Sequence, residues 1–248
     1  MFFLKGKTIP LDEFFPKGFI DIHSHLLPGI DDGATDLNTS MALIQQMSSF
    51  GIQNFITTPH ILGDVYPNTP AIINDKLVVV KKELANRNIT DISIATAAEY
   101  MLDEQFSALL EQDAPLLTLK DNLVLVEMSY LSPPINLFEI LFQMQLKGYK
   151  PILAHPERYS SYHRDPRIYQ KLKNAGCLFQ LNLLSLTEHY GIGVQKTAYK
   201  LIDENKYDFV GTDTHHENHL QLLQKIATKK NFKKIAPIME RNAASFKI

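Results

Sequence analysis

The chain contains a series of short apolar runs, each ending in a residue type that binds divalent metals, and no other feature restricts its fold as much. The first run, Phe19-Ile20-Asp21-Ile22, ends in His23-Ser24-His25. Phe55-Ile56-Thr57-Thr58-Pro59 ends in His60, the run from Ile92 to Ala98 ends in Glu99, and Leu123-Val124-Leu125-Val126 ends in Glu127. Pro151-Ile152-Leu153-Ala154 ends in His155, and Phe209-Val210-Gly211-Thr212 ends in Asp213, with His215 two residues on. Side chains at i and i+2 of a strand share one side, so His23 and His25 can reach one ion where the strand stops. One such pair would equally fit a polar strand edge facing water. Six runs ending alike point to a shared site.

Between these runs the period changes from that of strands to that of helices. Met41, Ile44, Met47 and Phe50 recur at helical spacing, with Asp36 or Thr39 as the N-cap and Gly51 as the stop. Ile72, Ile73, Leu77, Val80 and Leu84 mark a second helix with Lys81, Lys82 and Glu83 on its wet side. Leu137, Ile140, Leu141 and Met144 line a third that ends at Gly148, and the spacing predicts helices over 103–112, 166–175 and 193–205. The later strands are predicted over 91–98, 122–127, 151–154, 177–181 and 208–212, with 177–181 ending at Asn182 instead of a ligand type. Strands alternating with helices imply parallel strands joined by crossovers, and seven of them imply an α/β barrel with its site at the C-terminal strand ends. A length of 248 residues suits one such domain over 18–248, preceded by a Pro10- and Pro16-broken extension, 1–17, packed on the barrel.

Several function classes have no support. With 25 basic and 27 acidic side chains and a net charge of −2, there is no electrostatic case for nucleic acid or an anionic membrane. Lys229-Lys230 and Lys233-Lys234 read as a solvated helix face. Cys177 is the single cysteine, so no internal disulfide forms, and its apolar neighbours Leu178 and Phe179 read as packing. Lys5 and Lys7 interrupt Met1-Phe2-Phe3-Leu4 before it reaches signal-peptide length, and no run approaches membrane-spanning length. A cytoplasmic protein with no direct membrane insertion is expected.

The strand ends supply His23, His25, His60, Glu99, Glu127, His155, Asp213 and His215, and the first loop adds Asp31 or Asp32. These exceed the needs of one ion, so two or three metals are expected, and mixed imidazole and carboxylate donors suit manganese, iron or zinc. Three divalent ions would outweigh the carboxylates of Asp32, Glu99, Glu127 and Asp213 by about two charges, which favours an oxyanion substrate such as a phosphate ester. Arg158, three residues past His155, can reach the rim to grip a phosphate, a surface salt bridge being the alternative. Tyr100 and Tyr159 flank ligands and either stack on an aromatic leaving group or pack beside the metals. His163 and His189 read as surface or supporting residues, and His216 and His219 as solvent-exposed, assistance near the mouth being the alternative.

The order His-x-His, Asp-Asp-Gly, Thr-Thr-Pro-His60, Ala-Glu99-Tyr, Val-Glu127, Ala-His155-Pro-Glu-Arg158-Tyr and Thr-Asp213-Thr-His215 resembles the polymerase and histidinol phosphatase (PHP) superfamily. Within it, Asp-Ile-His-Ser-His and His-Pro-Glu-Arg-Tyr resemble the bacterial capsule-associated protein-tyrosine phosphatases. The resemblance runs over about 18–225. It implies a distorted (β/α)7 TIM-like barrel, a manganese cluster, and phosphotyrosine on the tail of a membrane-anchored tyrosine autokinase of polysaccharide export as substrate. By position, His23, His25, Glu99 and Asp213 would hold one metal, and Glu99 would bridge to a second held by His60, Glu127 and His155. Asp32 and His215 would serve the third, which makes them catalytic candidates beside Arg158, the phosphate binder. The stretch His216-Glu217-Asn218-His219-Leu220 lacks the arginine expected there, which weakens any second phosphate clamp. The alternatives are a small-molecule phosphatase acting on histidinol phosphate or a nucleotide, an amidohydrolase, whose bridging lysine is replaced here by Glu127, and a non-catalytic binding barrel.

Overall fold

The computed structural model describes residues 7–247, so the readings made on Met1 to Lys5 lie outside the described residues. The apolar runs form nine parallel strand segments: β1 (Ile20–Asp21), β2 (Asn54–Thr57), β3 (His60–Ile61), β4 (Ser93–Thr96), β5 (Glu99–Met101), β6 (Leu123–Glu127), β7 (Lys150–Ala154), β8 (Leu178–Asn182) and β9 (Phe209–Gly211). Seven strands are expected from the sequence, and the second and third are each broken in two. Pro59 has no N–H to give a ladder, so the second run breaks at Thr58-Pro59, and the third breaks alongside it at Ala97-Ala98. The break splits the strands into a sheet β1-β2-β4 and a sheet β3-β5-β6-β7-β8-β9. Main-chain bonds still cross it: Ala97 N–H donates to Thr57 O at 2.9 Å and Glu99 N–H to Pro59 O at 3.1 Å.

The ring closes where the last strand meets the first. Ser24 and Thr214 form a parallel bridge, and Asp213 N–H donates to His23 O at 2.7 Å. Lower down the seam, side chains replace the ladder. Asp21 accepts from Thr212 N–H at 2.8 Å and from the Thr212 hydroxyl at 2.7 Å. Asn242, buried on the C-terminal helix Lys229–Ser245, donates to Ile20 O and Val210 O and accepts from Val210 N–H. The result is the distorted seven-run barrel.

Period-two alternation divides the apolar side chains between two layers. Ile20, Ile22, Ile56, Leu125, Ile152 and Phe209 pack as an inner cluster closed by Phe246. Val124, Val126, Leu153, Phe179 and Val210 point the other way, into a larger cluster shared with the helices. Those helices follow the expected spacing: Leu37–Ser49, Pro70–Asn86, Glu104–Glu111, Leu137–Leu146, Arg167–Asn174 and Ile192–Asp203. Asp36 is the N-cap of Leu37–Ser49, accepting from Thr39 N–H at 2.8 Å. Phe14 and Phe15, from the short helix Leu11–Phe14 and its cap, are buried in the same cluster, and Thr8 bridges Thr228. Among the described residues no helix is long and apolar enough to cross a membrane.

Candidate metal centre

Every strand end named from the sequence faces one mouth. His60 and Glu99 are register partners between β3 and β5, which sets two candidate ligands side by side. Glu127 closes β6, one strand over. His155 and Asp213 follow β7 and β9, and both take left-handed backbone, with φ of 37° and 52°. That conformation is uncommon for a non-glycine residue and costs about 1–3 kcal/mol, and such strain collects at functional sites. Two glycines admit the histidines. A Cβ on Gly33 would come within 2.2 Å of His25 O, and one on Gly211 within 2.5 Å of the His23 Cβ.

The nitrogen and oxygen atoms converge closely. His23 Nε2 lies 3.1 Å from Glu99 Oε2 and 3.3 Å from Asp213 Oδ1, and His25 Nε2 lies 3.4 and 3.6 Å from the same two atoms. His60 Nδ1 is 2.9 Å from Glu127 Oε1 and 3.2 Å from Glu99 Oε2, and His155 Nε2 is 3.1 Å from Glu99 Oε1. At the open side, Asp32 Oδ1 sits 3.4 Å from His60 Nε2 and 3.5 Å from His215 Nε2. Four compact donor groups result: His23 with His25 and Asp213, His23 with Glu99 and His155, His60 with Glu99 and Glu127, and His25 with Asp32, His60 and His215. This grouping shares His60 between the inner and outer positions and sets His155 beside His23, finer detail than the position-by-position expectation.

The donor set fits divalent ions on its own chemistry. Among the described residues, His23 Nε2, His25 Nε2, His60 Nδ1 and Glu99 Oε2 are buried polar atoms that make no properly angled hydrogen bond, all aimed into the cluster. The other ring nitrogens are fixed from behind: His23 Nδ1 by Gln180 Oε1 at 2.9 Å, His25 Nδ1 by Asp31 Oδ2 at 2.8 Å and His215 Nδ1 by Asp213 O at 3.0 Å. Such partners leave Nε2 as the free donor in each ring. Of the two loop carboxylates, Asp31 therefore supports His25, and Asp32 faces the cluster.

Charge points the same way. Burial opposes ionisation of Glu99, yet His23 and His60 hold its carboxyl well below the usual range, and His23, His25, His215 and Arg158 do the same for Asp213. Burial likewise opposes charge on His23, but Glu99 and Asp213 lift its pKa to about 9. Buried carboxylates that draw protons onto their histidines are a site short of cations.

Arg158 lies at the edge of this cluster and is not a surface ion pair. Its Nη1 donates to Asp213 Oδ2 at 3.0 Å, and its guanidinium lies between the rings of Tyr130 and Tyr190, 4.4 and 4.0 Å from their centroids. Asn182, the end of β8, donates to the same Asp213 oxygen at 2.6 Å. A cavity of about 1050 Å³ opens over the metal-ligand types, Arg158 and the rings of Tyr66, Tyr130 and Tyr190.

Other expectations fare differently. Tyr100 and Tyr159 point into the core, where their hydroxyls accept from Leu117 N–H and Met128 N–H, so packing wins over stacking on a ligand. His219 is buried, not solvent-exposed: its Nδ1 accepts from His215 N–H at 3.2 Å. The turn from β9 into helix Glu217–Ile226 folds it under His215. His216 is exposed on the cavity rim, His163 hydrogen-bonds Glu157 O, and His189 is exposed against Tyr190. Sequence reasoning missed Gln180, although a lone polar residue in an apolar strand was its signal; Tyr130 and Tyr190, on loops, had none.

A parallel α/β barrel with candidate metal ligands gathered at the C-terminal strand ends is the class that fold and site define. Residues 19–244 match the family described as Capsular polysaccharide synthesis, CpsB/CapC, and the chain belongs to that family. It is 31% identical over 201 residues to the tyrosine-protein phosphatase YwqE of Bacillus subtilis, covering 79% of this chain and 77% of that one. It is 26% identical over 203 residues to the tyrosine-protein phosphatase CpsB of Streptococcus agalactiae serotype III, covering 79% and 83%. Crystal structures described as YwqE from Bacillus subtilis and CpsB from Streptococcus pneumoniae, unique metal-dependent tyrosine phosphatases, superpose with a TM-score of 0.80 at 27% identity, over 92% of this chain and 94% of that one.

Proposed function

We propose that this protein is a metal-dependent protein-tyrosine phosphatase of capsular or extracellular polysaccharide synthesis, acting in the cytoplasm on the phosphotyrosyl tail of a tyrosine autokinase. The observation that carries the proposal is the set of unpartnered buried donors from His23, His25, His60 and Glu99 facing one another beside a fixed arginine. Family membership and relatives named tyrosine-protein phosphatases support it. The catalytic unit is the stretch from residue 18 onward, and of the preceding extension the described part, from residue 7, packs on it through Phe14 and Phe15.

In this reading His23, His25, Asp213 and Glu99 would hold one metal, and His60, Glu127 and His155, with Glu99, would hold a second. Asp32 and His215 would hold the third, on the solvent side of the cluster. The ions, manganese before iron or zinc, supply an activated water and neutralise phosphoryl oxygens when bound. Arg158 grips the phosphoryl group, pre-aimed by Asp213 and the two tyrosine rings, so little side-chain freedom is lost on binding. Tyr66, Tyr130 and Tyr190 give the substrate ring aromatic walls.

The test is phosphate release from a phosphotyrosyl peptide and from histidinol phosphate, side by side, with manganese and with chelator. Manganese-dependent preference for the peptide is expected. Preference for histidinol phosphate would move the protein to small-molecule metabolism with its metals intact.

A further inference from the structure

The cavity over the metal centre does not end at the centre. On the side of helix Glu104–Glu111 it meets a second hollow, of about 480 Å³, and the two share Leu102, Asp103, Pro134 and Ile135. A third, of about 250 Å³, continues from the second at Ser107, Glu111, Asn136 and Ile140, between helices Glu104–Glu111 and Leu137–Leu146. The three adjoin through these shared residues, and we read them as one channel leading from the candidate ligands outward along two helices. A small phosphate ester would occupy only its inner end.

The outer channel has a distinct chemistry. Asp103, Glu104, Glu111 and Glu139 line it, and the sole lysine there, Lys147, is already ion-paired with Asp113. Where the hollows join, the strap Ser129 to Asn136 holds Leu131 and Ile135 almost fully in water, stiffened by Pro133-Pro134. Apolar side chains held out beside a groove that continues an active site fit a surface completed by another chain. Glu104, Glu111 and Glu139, which form no ion pair among the described residues, set the sign of that chain.

Resting on the phosphatase reading above, we infer that this channel docks the polypeptide on one side of the phosphotyrosine, and that it selects segments carrying lysine or arginine together with apolar residues. Phosphate recognition is left to the metal end and Arg158. Affinity for the protein substrate comes from the strap and from the acidic wall of helix Glu104–Glu111.

The experiment compares kcat/KM for free phosphotyrosine with three phosphotyrosyl peptides whose flanks are basic, neutral or acidic, placed in turn on the N- and C-terminal sides. Manganese-loaded wild type and the exposed-wall variants Glu104→Lys and Glu111→Lys are assayed together. Wild type is expected to favour basic flanks on one side by about tenfold over acidic ones. Either variant should remove or invert that preference while turnover of free phosphotyrosine stays unchanged. An Ile135→Ser variant should raise KM for every peptide and leave free phosphotyrosine untouched. Turnover that ignores flanking charge in wild type and variants alike overturns the channel assignment and leaves the phosphatase standing. Absence of any phosphotyrosine hydrolysis overturns both.

Discussion

Arg158 and Asp213 form a fixed pair at the mouth of the barrel: Nη1 donates to Oδ2 at 3.0 Å, while Asp213 Oδ1 faces His23 and His25. One carboxylate thereby joins the proposed phosphate-binding group to the candidate metal ligands. Lysine offers neither the planar fork nor the faces that fill the slot between Tyr130 and Tyr190. Arg158→Lys is expected to lower kcat on a phosphotyrosyl peptide roughly 100-fold, with metal content by elemental analysis unchanged. A variant within twofold of wild type would remove Arg158 from the mechanism.

Gln180 acts at one remove. Its Oε1 accepts a hydrogen bond from His23 Nδ1–H at 2.9 Å, which keeps Nε2 the free donor. Gln180→Met has a similar length and no amide acceptor, so manganese affinity should fall about 10- to 100-fold. Titration of apoprotein by calorimetry measures this, and activity should return at saturating metal. An unchanged affinity would show that His23 does not need its partner.

How much of this was legible in the chain differs by layer. Strand ends were readable because ligand types there interrupt apolar runs such as Val124-Leu125-Val126-Glu127. The break at Thr58-Pro59 was signalled by proline, but its companion at Ala97-Ala98 arises only from pairing with the first, and no local residue type marks it. Asp31 and Asp32 are adjacent carboxylates, and only the position of His25 separates supporter from candidate ligand. The tyrosine slot around Arg158 joins residues from loops after β6 and β8, brought together by the barrel and by no sequence pattern.

Asn242 should be the most costly polar residue in the seam. Its side chain serves Ile20 O at 3.0 Å, Val210 O at 2.6 Å and Val210 N–H at 3.2 Å, all buried. Asn242→Ala leaves those groups without partners, and about 3 kcal/mol of stability should be lost in urea unfolding. A loss under about 0.5 kcal/mol, within the range of an ordinary surface change, would mean the seam does not depend on it.

Metal removal should lower stability as well as activity. Glu99, Glu127 and Asp213 are buried together, and ions that bind only the folded cluster stabilise it by mass action. Chelated protein is expected to release no phosphate and to melt several degrees lower, with both restored by manganese; at 100 times Kd the gain is about 2.7 kcal/mol. Phosphate release surviving in protein shown to be metal-free would sink the metal-dependent reading.

Cys177 gives a pH test away from the metal centre. Burial pushes its thiol up from 9.0 to about 12. The folded state therefore holds its proton more tightly than the unfolded chain does. The sign follows: this contribution is complete below pH 9, and it is lost as pH rises toward 12. Between pH 8 and pH 10.5 wild-type apoprotein should lose about 2 kcal/mol more stability than Cys177→Ala, whose unfolded chain has no thiol to ionise there. Urea midpoints of both proteins at the two pH values measure it, and tyrosine titration common to both cancels. Parallel pH profiles for the two proteins would show that the thiol ionises as readily in the fold as outside it.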